Sequence, residues 1–294
     1  MNTTRKLLRS RIQAGSTTWF AGAQDALSAL LVDQSDFDGV FTTGFGISAS
    51  LLGQPDMELY TLSENVGVVD HIANVVRKPI FADADTGYGN VLNVARTVRA
   101  FEKAGVAALS LEDQISPKRC PAAATHSLTV PVNEAVAKVR AAVDARKDPD
   151  LLIVARTDVM DANEALDRAA RYAEAGADLI QPISRTFGSY EELVRLREAC
   201  GRPLSLQLME GTWMATLDRK QIESVAALAT YPLITLMSMV HAMQTNLAAL
   251  AGRRGKPFDS LPCERSSMPA FKQLIGWHAL EQHQAHYETD ARTE

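Results

Sequence analysis

Phe81-Ala82-Asp83-Ala84-Asp85-Thr86-Gly87-Tyr88-Gly89-Asn90 reads as a short apolar strand emptying into a glycine-hinged loop. Residues two apart on a strand share a face, so Asp83 and Asp85 are expected to aim two carboxylates at one point. Like charges that close raise each other's pKa unless a cation lies between them. A third acid ends the apolar run Ala107-Ala108-Leu109-Ser110-Leu111-Glu112. If the two runs are neighbouring parallel strands, Asp83, Asp85 and Glu112 converge on a hard-cation site. Three carboxylates completed by water suit Mg²⁺, with Mn²⁺ as a substitute. The plainer alternative makes each acid a helix cap or a solvated loop residue.

Working outward, strand-like runs alternate with helical patterns along most of the chain. Strands are expected at Thr17–Phe20, Gly39–Thr43, Ile80–Asp83, Ala107–Glu112, Leu151–Ala155, Asp178–Gln181, Leu204–Gln207 and Thr230–Leu233. Helices are expected at Ala26–Leu31, Ser63–Val76, Val91–Ala104, Asn133–Arg146, Ala162–Ala175, Tyr190–Ala199 and Arg219–Ala227, with the second strand simply breaking at Gly44-Phe45-Gly46. Eight apolar strands in alternation with helices predict an α/β fold, a (β/α)8 TIM-type barrel. A doubly wound sheet is the alternative, but no G-x-G-x-x-G opens a helix after the first strand. Residues 1–252 are expected to form the barrel and residues 253–294 a helical extension. Past the last strand, helix is expected at Ser238–Ala251 and again over Met268–His286, separated by the basic hinge Gly252-Arg253-Arg254-Gly255-Lys256-Pro257.

Composition narrows the function classes. At 294 residues with 46% hydrophobic content, the chain has material for one sizeable core. A net charge of −5 argues against a general nucleic-acid or membrane-surface binder. No apolar run is long enough to span a bilayer. Met1–Ile12, with Arg5, Lys6, Arg9 and Arg11, reads as an amphipathic opening helix. Cys120, Cys200 and Cys263 are odd in number and scattered, which fits a reducing cytoplasm.

Barrel active sites lie at the C-terminal ends of the strands. The polar residues expected there are Asp25, Thr43, Asp83, Asp85, Glu112, Arg156, Asp158 and Gln207. Arg156 can clamp a carboxylate in two-pronged fashion, unless it serves as an internal partner for Asp158 or another barrel acid. Thr43 and the amides of Gly44 and Phe45 can hold a second anionic end of a ligand. Cys120, beside Lys118 and Arg119, is the one thiol in a cationic setting, which favours use as an acid or base.

These segments resemble the isocitrate lyase/phosphoenolpyruvate mutase superfamily. Within it they are most similar to the branch of the small 2-methylisocitrate and dimethylmalate lyases and carboxyphosphonoenolpyruvate phosphonomutase. Asp83 to Asn90 is similar to its metal-site signature, and Leu111-Glu112-Asp113-Gln114 with Pro117-Lys118-Arg119-Cys120 to its gating loop. Ile153 to Asp158 is similar to its arginine strand, and Gly46 to Ser50 with Gly53 to Asp56 to its second-strand loop. The resemblance implies a Mg²⁺-dependent barrel acting on 2-oxo or 2-hydroxy carboxylates. It makes Asp85 the nearest metal ligand, with Asp83, Glu112 and Asp56 acting through water. Lys118, Arg119 and Cys120 become catalytic lid residues, and a homotetramer with an exchanged C-terminal helix is expected. Three departures stand out. Cys120 is followed by Pro121-Ala122-Ala123-Ala124 instead of Gly-His, Ile183 stands where a glutamate is usual, and Gln207 where an asparagine is usual.

The expected function is C–C cleavage of a malate-like 2-hydroxy acid, giving a 2-oxo acid and a second carboxylic acid through an enolate. The alternative is an oxaloacetate decarboxylase or 2-oxo acid hydrolase, followed by phosphonomutase-type C–P chemistry. A catalytically silent metal-binding scaffold is the non-enzyme reading.

Overall fold

In the computed structural model the chain is described over residues 3–119, 128–255, 257 and 264–291. It forms helix α1 (Thr3–Gln13), β1 (Thr18–Ala23), α2 (Ala26–Asp33), β2 (Gly39–Thr42), α3 (Gly44–Leu52), α4 (Leu62–Ala73), β3 (Ile80–Asp83), α5 (Val91–Lys103), β4 (Ala108–Glu112) and α6 (Val132–Ala145). Next come β5 (Leu152–Thr157), α7 (Ala162–Glu174), β6 (Leu179–Pro182), α8 (Tyr190–Cys200), β7 (Leu204–Gln207), α9 (Arg219–Val225) and β8 (Ala226–Tyr231). The strands pair in parallel in chain order, and β8 closes on β1, giving a (β/α)8 barrel. Three helices follow: α10 (Ile234–Ala251), α11 (Met268–Leu274) and α12 (Trp277–Ala291). By compactness the chain divides into Met1–Thr235 and Leu236–Glu294. Among the described residues no helix is long and apolar enough to cross a membrane.

The barrel interior is packed with Phe20, Phe41, Phe81, Leu152, Val154, Leu179 and Leu228. Phe81 sits 5.0 Å from Phe41 and 5.9 Å from Phe20 between ring centroids, the latter edge-on. Leu8 of α1 joins this cluster. The same helix turns Arg5 onto Val106 O (2.7 Å), Glu102 O and Asp148 (3.1 Å), and Arg9 onto Asp178 (3.1 Å). The basic residues of the opening helix therefore seal the N-terminal end of the barrel, away from the strand ends that carry the site.

Several boundaries differ from the sequence reading. The alanine-rich sequence, of high helix propensity, carries the expected helix on to Ala227 and puts the last strand at Thr230–Leu233. In the structure β8 begins at Ala226, because it is held on both edges, by β1 and by β7. Gly44-Phe45-Gly46 is not a bare break. Thr43 caps α3 there through Gly46 N, and Gly53, at φ 62°, ends that helix. The single helix expected over Met268–His286 is two, divided at Ile275-Gly276 where Gly276 adopts φ 70°.

Closure leaves no room at one seam residue. A Cβ on Gly22 of β1 would lie 1.8 Å from the carbonyl oxygen of Pro232, just past β8. That neighbour is backbone and cannot swing aside. Gly22→Ala is expected to cost about 1–3 kcal/mol or more, read as a melting temperature several degrees lower; an unchanged melting curve would contradict the seam packing.

Candidate active site

The C-terminal ends of the strands open on a cavity of about 500 Å³. Asp83, Asp56, Thr43 and Arg156 line one side of it. Ile183, Met209, Trp213, Pro232 and Leu233 form an apolar wall, with Gln181 and Gln207 between. Parallel pairing sets this arrangement, since β4 joins β3 (Asp83 opposite Ser110) and β5 (Glu112 opposite Arg156).

Asp83 and Asp85 do converge, but not by strand alternation. β3 stops at Asp83, and Asp85 takes a left-handed backbone (φ 50°), as does Tyr88 (φ 60°). The turn brings the Asp85 N–H to 3.3 Å from Asp83 Oδ1 and its carbonyl to the Glu112 N–H at 2.9 Å. Both carboxylates then face the bare Cα of Gly44, where a Cβ would lie 2.9 Å from Asp83 Oδ2 and 3.2 Å from Asp85 Oδ1. Asp85 is fully buried and accepts from Tyr88 (2.6 Å) and Tyr60 (3.2 Å), with Asn65 Nδ2 donating in turn to Tyr88. Burial and then the Asp85 charge hold both tyrosines well above their ordinary pKa, so they remain donors.

Lys118 enters the same cluster. Its ammonium lies 2.8 Å from Asp85 Oδ1 and 2.9 Å from Asp56 Oδ2, with the side chain 2% exposed. Burial works against that charge, but Asp85, Glu112 and Asp56 outweigh it and raise the lysine well above its usual pKa. Glu58 fastens the segment, accepting from Ser116 Oγ (2.8 Å), the Lys118 N–H (2.9 Å) and Thr86 Oγ1 (2.5 Å). Arg156 reaches Glu112 Oε2 at 2.8 Å and Asp158 Oδ1 at 2.7 Å. Burial raises Glu112 well above the carboxylate range, against the opposing pull of Arg156 and Lys118. Asp83, with no ion pair of its own among the described residues, is raised to about 6, again first by burial.

The donor set fits a hard divalent cation. Among the described residues Glu112 Oε1 and Asp56 Oδ1 are buried without a hydrogen-bond donor, Glu112 Oε2 has only its ion pair with Arg156, and the bare Cα of Gly44 lets Asp83 and Asp85 crowd in front of it. Among the described residues no three acidic, cysteine or histidine side chains close into a ready-made cage. An ion that keeps part of its water shell, as Mg²⁺ does, matches such spacing.

Of the other expected residues, Thr43 both caps α3 and lines the cavity, and Gly44 and Phe45 supply first-turn amides that lack an acceptor within their helix. Gln207 lines the cavity with its Nε2 on Gln181 (3.3 Å) and its Oε1 without a donor. Asp25 is not at the site in a chemical role: its carboxylate caps α2 in a capping box with Ser28. Arg119 is exposed, and what it contributes inward is its N–H to Gln114 (3.0 Å). Cys120 lies outside the described residues. The sequence does not single out Tyr60 and Glu58, in a stretch with no periodic or motif signal, or Asn65, inside the expected helix Ser63–Val76; Tyr88 is visible inside the signature but not its bond to Asp85.

A family model described as phosphoenolpyruvate phosphomutase matches residues 8–251. The chain belongs to the phosphoenolpyruvate phosphomutase family. It is a lyase of the isocitrate lyase/phosphoenolpyruvate mutase superfamily. It is 40% identical over 247 residues to 2,3-dimethylmalate lyase of Eubacterium barkeri, covering 83% of this chain and 84% of that one. It is 39% identical over 204 residues to oxaloacetate decarboxylase of Pseudomonas putida strain GB-1, covering 69% of each. Among solved structures, a 2,3-dimethylmalate lyase in a trigonal crystal form superposes with a TM-score of 0.86 at 27% identity, over 98% of this chain and 96% of that one. A phosphonopyruvate hydrolase complex with oxalate and Mg²⁺ gives 0.84 at 28%, over 97% and 99%.

The bare Cα of Gly44 is directly testable. In Gly44→Ala the new methyl would meet Tyr60 Oη at 2.7 Å and Asp83 Oδ2 at 2.9 Å. The expected outcome is Mg²⁺ affinity weakened on the order of tenfold by calorimetric titration, with the fold retained by circular dichroism. Unaltered affinity would mean that the space in front of these acids does not receive the ion.

Proposed function

We propose that this enzyme is a Mg²⁺-dependent lyase cleaving a C–C bond in a malate-like 2-hydroxy acid, releasing a 2-oxo acid and a second carboxylic acid. The observation that carries the reading is a cluster of buried acids that outnumber Lys118 and Arg156, with Arg156 also lining the cavity. Asp85, Asp83 and Glu112 would hold the ion, in part through water with Asp56. When bound, it supplies Lewis acidity to the 2-oxygen and its neighbouring carboxylate. Arg156 grips that carboxylate with nitrogens already oriented by Glu112 and Asp158. Lys118 offsets Asp56 and Asp85, so that these acids do not repel an anionic substrate. The first-turn amides of Gly44 and Phe45 face the remaining anionic group.

For cleavage, the 2-hydroxyl passes its proton to a carboxylate of the acid cluster, the O–H electron pair forms the new carbonyl, and the bond to C3 breaks. The pair left on C3, spread into the departing acid's carboxylate, takes a proton from the Cys120 thiol as general acid. The apolar wall keeps water from that carbon. Assembly as a homotetramer, with the C-terminal helix exchanged, belongs to the same proposal; exposed Met243 and Leu247 on α10 and Leu280 on α12 support it.

The alternative is decarboxylation of oxaloacetate, or hydrolysis of a related 2-oxo acid, which needs the ion and Arg156 but no thiol. Ile183 in the cavity wall, where lyases of this branch carry a glutamate, favours it. A panel of malate analogues and oxaloacetate, assayed by coupled detection of the 2-oxo acid, separates the two. With the preferred substrate, Cys120→Ala is expected to lower kcat by about 10²–10⁴-fold; turnover at the unaltered rate would transfer the assignment to decarboxylation.

Metal dependence carries a pH signature. With its pKa raised to about 6, Asp83 adds stability to the metal-free fold below the ordinary carboxylate range, and that contribution is lost as pH rises through about 6. A cation beside the ionised group reverses the loss. Mg²⁺ is therefore expected to raise the melting temperature more near pH 7.5 than near pH 5, and Asp83→Asn to flatten the difference. No Mg²⁺ effect at either pH would overturn the metal-dependent reading.

A further inference from the structure

Behind the site, on the helix side of β4 and β5, lies a second buried network. At its centre is Asp113, directly after Glu112. Asp113 Oδ1 accepts the backbone N–H of Asp158 at 2.8 Å. Its Oδ2 accepts from Thr157 Oγ1 (2.8 Å), Tyr172 Oη (2.7 Å) and Arg168 Nη1 (3.1 Å). Arg168 continues through Nη2 to Val130 O (2.9 Å), and the Val130 N–H returns to Asp113 O (2.9 Å). Asp113, Thr157, Asp158, Arg168 and Tyr172 are all buried.

This network is costly. A carboxylate and a guanidinium are taken out of water behind the sheet, where an apolar pair of similar volume would pack at least as well. What it holds is specific. Thr157 and Asp158 are the two residues after Arg156, and Asp158 Oδ1 is the acceptor that orients the Arg156 guanidinium at 2.7 Å. Asp113 thus grips the two residues that determine where Arg156 points.

We propose that Arg168 and Tyr172, on α7 and remote from any ligand, are positioning residues for Arg156: they fix Asp113, which fixes the Thr157-Asp158 backbone and so aims the guanidinium into the cavity. This rests on the reading that Arg156 clamps the substrate carboxylate. Tyr172→Phe keeps the ring and deletes one donor. Arg168→Lys keeps the charge but cannot span Asp113 and Val130 O together.

The test titrates oxalate, a compact dicarboxylate, into each variant with Mg²⁺ present, alongside thermal melts. Both variants are expected to bind oxalate about tenfold more weakly than the unaltered protein. In an Arg156→Lys background, Tyr172→Phe is expected to cause no further loss, because the group it aims is gone. If Tyr172→Phe lowers only the melting temperature and leaves oxalate affinity intact, the residue is merely structural and the proposal fails. It fails equally if the two losses add. Should Arg168→Lys not fold, Tyr172→Phe alone decides. If the unaltered protein binds no oxalate, the reading of Arg156 fails and takes this one with it; normal binding with unaffected variants overturns this one alone.

Discussion

The mouth of this barrel has to keep more negative than positive charge out of water. Asp56, Asp83, Asp85, Glu112 and Asp158 are all buried there against Lys118 and Arg156. Removing an ion from water costs several kcal/mol even after relaxation, so such a surplus persists only where something offsets it. Part of the offset is visible: two tyrosines on Asp85, an ammonium bridging two acids, and a guanidinium between two more. The rest appears as proton affinity, with Asp83 and Glu112 held above the ordinary carboxylate range by burial. A divalent ion held here, as proposed, would offset that surplus without protonating the carboxylates.

The barrel makes this possible by separating the two jobs. The α1 arginines and Leu8 close one end and the aromatic cluster fills the middle, so the core lies apart from the polar strand ends. The mouth can then carry left-handed Asp85 and Tyr88 and a glycine whose missing side chain lets two acids and a tyrosine crowd its Cα. These would be liabilities in a structure that relied on them for cohesion.

Much of this was legible in the chain itself. Apolar runs such as Ile80–Asp83 and Leu204–Gln207 are buried throughout or nearly so, and their composition announces parallel strands. The acids stand where those runs stop, which is why Asp83, Glu112 and Arg156 could be placed at the mouth. What could not be read has a common cause: it depends on partners distant in sequence. Ala226–Tyr231 becomes a strand only because β1 and β7 flank it. Asp85 reaches the site by a turn, and strand alternation pointed to the right place for the wrong reason. Tyr60 lies in a loop without pattern, Asn65 in a helix whose pattern says nothing of its partner Tyr88, and Asp25 resembled the acids of the candidate site because an N-cap asks for the same residue type. Lys118 was assigned to a lid, and its burial between Asp56 and Asp85 follows from how Glu58 fastens residues 116–118.

The opening helix has a consequence for how the molecule is made. Arg5 finds its acceptors at Glu102, Val106 and Asp148, and Arg9 finds one at Asp178. These partners are synthesised long after the helix has left the ribosome. An amphipathic segment bearing Leu7 and Leu8 must therefore wait, without its docking surface, until the sixth strand has emerged. Such long-range closure slows assembly and lengthens the exposure of apolar surface to other chains. Helix α1 is thus among the last elements of the barrel to become native.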